Sequence, residues 1–140
     1  MKSFLMANPA TDEDTNNCTI ISLSLAASIP YKEAEEIGIK AGRKKNKGFY
    51  LEPLYEEARK KGIKIESVKT KKKMNLKQFI LDFPIGRFVI EKREHAFCVI
   101  NGKIHDVKTN GMNSKIQTIY RFDVDTKNQI QNYIKNKFCY

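Results

Sequence analysis

A change of hydrophobic period part-way along the chain constrains its fold more than any other feature. Up to about residue 61 apolar residues recur at helical spacing. From residue 63 they alternate with polar ones, as in half-buried strands. Helices followed by an antiparallel sheet make an α+β layout. With 140 residues and no Pro/Gly/Ser linker or internal repeat, residues 1–140 are expected to form one domain.

Residues 17–28 (NCTIISLSLAAS) are apolar on nearly every side, which predicts a buried central helix. Pro30 opens a second helix that Gly42 ends, with Tyr31, Ala34, Ile37 and Ala41 as its apolar stripe. A third spans 51–61, with Leu54, Tyr55 and Ala58 inward and Gly62 as its stop. A short helix over 75–83 is capped by Asn75. Strands are expected over 63–70, 86–94, 95–101, 103–109 and 115–123, and a final helix follows Asp125 or Thr126. Phe79, Phe83, Phe88, Phe97, Tyr120 and Phe122 fall at core spacings. Asn101-Gly102 predicts a two-residue hairpin, because both positions tolerate positive φ. That turn sets Ile100 against Lys103, Val99 against Ile104, Cys98 against His105 and Phe97 against Asp106.

The formal net charge is +10, with lysines clustered at 42–48, 58–64 and 69–75. Such charge attracts an acidic protein face or nucleic acid. A lysine-rich solvated surface explains it more simply, and no nucleic-acid motif accompanies the lysines, so nucleic acid is the less favoured partner. No apolar run reaches the roughly 18 residues that a bilayer requires. The first residues lack the apolar core of a signal peptide, so the expected location is the cytoplasm, or wherever a carrier releases the protein. Three cysteines without Cys-x-x-Cys spacing argue for free thiols rather than disulfides, and no ligand spacing suggests a metal or cofactor.

Cys18 falls in the first turn of the central helix, with Asn16 or Asn17 as cap. The partial positive charge and unpaired N–H groups of a helix start favour a thiolate. A cysteine there also packs well, so a base is required before chemistry is inferred. His95 begins an apolar strand and shares a face with Phe97 and Val99. The hairpin register puts Asp106 on that face, diagonal to His95, where it can hold the imidazole in one tautomer. A one-residue slip would turn Asp106 away and leave Asn101 or Asp123 as orienter. Cys98 and His105 face each other mid-strand, far from any helix start, and are read as structural. Cys139 has no assigned role.

"NNCTIISLSLAASIPYKEA" followed by "EHAFCVINGKIHDV" resembles the papain-like cysteine peptidases, closest to their small bacterial and phage members and the leader-peptide-processing branch. The resemblance covers roughly residues 12–122. It implies a papain-like α+β fold with Cys18 as nucleophile, His95 as general base and acid, and Asp106 as orienter. Two positions depart from the pattern. Asp12 stands where relatives often carry an oxyanion-binding glutamine, which leaves the Cys18 backbone N–H with Asn16 or Asn17 as replacement donors. Glu94 stands where relatives often have glycine.

Two functions follow as expectations. One is a thiol hydrolase, a peptidase or isopeptidase acting on a peptide or protein through an acyl-enzyme thioester, with acyl transfer as a variant. The other is a catalytically inactive binding module of the same fold, docking an acidic protein or nucleic acid through its basic surface.

Overall fold

The computed structural model describes residues 3–5 by backbone, and residues 14–70, 72–107 and 110–123 with side chains. Helix α1 (Cys18–Ala27) follows Asn17, as the apolar run predicts. It ends at Ser28, whose φ of 58° lets the Ile29 N–H reach back to the Ser24 carbonyl at 3.0 Å. Two buried hydroxyls of this helix are bonded: Ser22 Oγ donates to the Cys18 carbonyl and Ser24 Oγ to that of Ile29, both at 2.7 Å. Helix α2 (Tyr31–Ala41) runs from Pro30 to Gly42, and α3 (Leu51–Lys60) follows. Gly38 marks the close approach of α2 to α1, since a Cβ there would lie 2.7 Å from Ile20 Cδ1. Helix α4 (Leu76–Asp82) starts at a full capping box, in which Asn75 and Gln78 each accept the other's backbone N–H.

The strands are β1 (Ser3–Leu5), β2 (Lys64–Val68), β3 (Arg87–Lys92), β4 (His95–Ile100), β5 (Lys103–Asp106) and β6 (Thr118–Asp123). They form one sheet in the order β1-β5-β4-β3-β6-β2. Five strands pair antiparallel, but β1 joins the edge parallel to β5, so the sheet is not purely antiparallel. Three residues with a partner a hundred positions away give no periodic signal, which is why sequence missed β1. The β4–β5 register is the predicted one: Cys98 opposite His105, Val99 opposite Ile104, Ile100 opposite Lys103. Asn101 and Gly102 both have positive φ, 48° and 78°.

All five expected strands are shorter in the structure, and for two of them a hydrogen bond shows why. Strand β5 stops at Asp106 instead of 109, because the Asp106 carboxylate takes the N–H of Val107 at 2.7 Å, a local bond that competes with the ladder. Strand β6 starts at Thr118 instead of 115, because Ile116 N–H turns to the Met74 carbonyl. The expected final helix, Asp12 and Cys139 lie outside the described residues.

Both faces of the sheet are covered. Helices α1, α2 and α3 share a core with Val89, Ala96, Cys98, Tyr120 and Phe122. Helix α4 packs on the other face against Phe88, Ile90, Phe97, Val99 and Ile119. This two-sided cover explains why β4 reads as a continuous apolar run rather than alternating. Arg87 locks α1 to the sheet by donating to the Leu25 and Ala26 carbonyls at 2.7 and 2.9 Å, the negative end of the helix. No helix among the described residues is long and apolar enough to cross a membrane.

Candidate functional site

Cys18 is the first residue of α1, half-buried, with its sulfur toward the start of β4. It accepts hydrogen bonds from the His95 ring and the Ala96 backbone N–H. Burial alone would push its pKa up. The His95 hydrogen bond, the Ala96 N–H and the His95 charge outweigh burial and hold the thiol below its ordinary value.

His95 closes the tight turn between β3 and β4 and is 9 % exposed. Its Nε2 lies 2.5 Å from Asp106 Oδ2. Its Nδ1 is buried and has no oxygen or nitrogen partner among the described residues; the ring's other hydrogen-bonding contact is the Cys18 thiol. Burial would lower the imidazole, but the Asp106 carboxylate and the Cys18 sulfur raise it to about 9. Asp106 is itself pinned, by the Val107 N–H at 2.7 Å and by Asn110 Nδ2 at 2.6 Å. The structure therefore brings Cys18, His95 and Asp106 into one chain of contacts. Asn101 belongs to the hairpin instead, its side chain accepting the Gly86 N–H at 2.9 Å, and Asp123 ends β6.

Asn17 occupies the N-cap position of α1, but its side chain does not cap. Its amide donates to the Tyr31 hydroxyl at 3.0 Å, and the Asn16 amide donates to the Asn46 carbonyl at 3.0 Å. The uncapped first turn leaves its N–H groups, that of Cys18 included, without helical acceptors. Asn16 and Asn17 nevertheless border the cavity on one side of Cys18, about 490 Å³ in volume. A second cavity of about 550 Å³, walled by Phe49, Tyr50, Lys92 and Gln117, opens on its other side. Gly48, Glu94 and His95 border both, so the thiol lies between two halves of a cleft.

Comparison of the chain with protein-family models, with curated proteins and with solved structures gave no match. The geometry therefore carries the functional argument alone.

Several residues that hold the site were not foreseen. Asp14 accepts from Arg43 Nη1 at 2.9 Å, Arg43 Nη2 at 3.1 Å, the Tyr31 hydroxyl at 2.6 Å and the Asn46 N–H at 2.9 Å. Arg43 is 4 % exposed, which corrects the view of residues 42–48 as uniformly solvated. Its other donors go to the carbonyls of Lys47 and Thr15, tying the 43–50 loop to the loop before Cys18. Burial works against Asp14, yet the bonds from Arg43, Tyr31 and Asn46 bring its pKa down to about 2. Tyr31, assigned to an apolar stripe, serves this network through its hydroxyl. An arginine in a lysine run was the signal available, because only a guanidinium grips a carboxylate with two nitrogens.

The other thiol and imidazole among the described residues are poorly placed for chemistry. Burial raises Cys98 to about 12, and burial with the neighbouring Lys103 and Arg87 charges lowers His105. No group of three or more His, Cys, Asp or Glu side chains that could hold a metal occurs among the described residues.

Proposed function

We propose that this protein is a papain-like thiol hydrolase acting on peptide or isopeptide bonds. One observation carries the reading: a thiol at a helix start, an imidazole and a carboxylate stand in sequence across a cleft, with the thiol shifted down and the imidazole up. Opposite shifts favour a thiolate–imidazolium pair at neutral pH. In the proposed reaction Cys18 Sγ bonds to the acyl carbon and the carbonyl π electrons move to oxygen. The donors nearest that oxygen are the Cys18 backbone N–H and the amides of Asn16 and Asn17, which share the cavity wall. His95 gives its Nδ1 proton to the leaving amine as the C–N bond breaks, leaving a thioester. It then takes a proton from water, whose oxygen attacks the thioester and expels the thiolate. Asp106 holds Nε2 throughout.

The test is the rate of Cys18 alkylation by iodoacetamide against pH, in wild type and His95→Ala, with mass spectrometry assigning the site. Fast labelling well below pH 8 that His95→Ala abolishes is expected. An ordinary thiol titration in both proteins would overturn the reading. The engagement of the Asn16 and Asn17 amides elsewhere favours a second reading, an inactive binding module of this fold. Under that reading Cys18→Ala would leave the biological effect intact.

A further inference from the structure

A third cavity, of about 810 Å³, lies on the far side of the cleft wall. Lys69, Lys72, Lys73, Arg93 and Lys115 line it, and among the described residues no carboxylate does. All five are exposed, and none is ion-paired among the described residues. Lysines facing one another without counter-charge repel, a cost that a bound anion removes. Between the cations the groove presents Val68, Met74, Ile116 and Ile119. Gln117 lines both this groove and the cavity beside Cys18, and Arg93 belongs to the same turn as Glu94 and His95. The basic groove therefore adjoins the cleft at Gln117.

We infer that this groove binds an acidic, extended segment of the polypeptide substrate and delivers the adjoining residues to Cys18, an inference that rests on the proposed hydrolase. Charge complementarity names the sign of the ligand, and the apolar surface names its kind. Among the described residues no aromatic side chain lines the groove to stack a base, as single-stranded nucleic acid would require, whereas four aliphatic or thioether side chains suit a peptide that alternates acidic and apolar residues. Strand β2, which contributes Ser67 and Val68 to the wall, ends the sheet, and among the described residues its outer edge pairs with no strand. An extended peptide can use that edge for main-chain hydrogen bonds.

The experiment is fluorescence anisotropy with a labelled twelve-residue peptide alternating Glu and Val, on Cys18→Ala protein so that binding is read without chemistry. The double variant Lys72→Glu/Lys73→Glu should weaken binding at least tenfold. Lys32→Glu/Lys61→Glu, which changes net charge equally on exposed positions elsewhere, should change it less than twofold. Equal weakening by both pairs, or equal binding of a Gln-for-Glu peptide, would overturn the proposal. So would tighter binding of a twelve-nucleotide oligothymidine that is lost with the same Lys72/Lys73 pair. In the wild type the bound peptide should slow Cys18 alkylation at least fivefold, and no protection would disconnect the groove from the cleft. Anisotropy does not depend on the thiol, so ordinary Cys18 titration alongside specific binding would sink the hydrolase and leave the acidic-peptide site standing.

Discussion

Two buried charged networks flank Cys18, and they differ in what they leave open. Around Asp14, the carboxylate takes four hydrogen bonds and the Arg43 guanidinium also holds two backbone carbonyls. Around Asp106, three groups hold the carboxylate, and the chain of contacts continues through one of them, His95, to a thiol bordering a cleft. The first network ends in satisfied backbone and fixes two loops. The second ends in a group that can gain or lose a proton. Burial of charge alone does not mark a site of chemistry; hydrogen-bonding capacity turned toward a cavity does.

Breaking the closed network should have the larger effect on stability. Arg43→Leu leaves the Asp14 carboxylate buried without its counter-charge and should cost roughly 3–5 kcal/mol in urea unfolding. Arg43→Leu combined with Asp14→Leu should recover much of that loss, since the stranded charge is gone. A double variant as unstable as the single one would mean that the bonds to Tyr31 and Asn46, rather than the ion pair, carry the network. In the wild type, Asp14 has its pKa depressed to about 2 from 3.8. Its contribution is therefore present above pH 3.8 and lost as pH falls through about 2. Acid unfolding of Asp14→Asn against wild type checks that window.

Perturbing the open network should show in proton affinity before stability. Asp106→Asn removes the carboxylate that most raises His95, so an imidazole NMR titration should move from about 9 toward 6.5. At pH 7.5, where an imidazole of midpoint near 6.5 is mostly neutral, less imidazolium remains to stabilise the thiolate, and Cys18 alkylation should fall about tenfold, or roughly 1.4 kcal/mol. The stability linked to His95 has the opposite sign from that of Asp14. Its folded value is raised, so the contribution is full below 6.5 and is lost as pH rises through about 9. An unmoved His95 midpoint in Asp106→Asn would make the second network as static as the first.

The contrast also separates what sequence could show from what it could not. His95 and Asp106 were legible together because a two-residue turn fixes every cross-strand pair after it, and the observed register has Cys98 opposite His105 as that turn requires. Cys18 was legible as a helix start because an uninterrupted apolar run begins there. Asp14–Arg43 was not, because 29 residues separate the partners and a buried pair imposes no periodicity. Arg87 against the end of α1 spans a still longer separation. Of the five arginines in this lysine-rich chain, Arg43, Arg59, Arg87 and Arg121 each hold a carboxylate or a backbone carbonyl, and Arg93 faces the basic groove. Arginine identity was thus a better guide to fixed geometry than charge density.

The smallest expected effect lies where the turn meets the open network. Glu94 has a φ of 59°, a left-handed conformation that costs a side-chain-bearing residue about 1–2 kcal/mol. It directly precedes His95, and Lys92 pairs with His95 across the turn, so the strain sits beside the imidazole. Glu94→Gly relieves that strain but loosens the unfolded chain by about 0.4–1 kcal/mol, leaving a net gain of up to about 1 kcal/mol. Thermal unfolding should rise by about 2–4 °C. A fall instead would mean that the Glu94 side chain, which borders both halves of the cleft, makes a stabilising contact worth more than the strain. A gain accompanied by a shifted His95 titration would show that the strained turn, as well as Asp106, sets the imidazole, and the open network would then extend one residue further than its hydrogen bonds reveal.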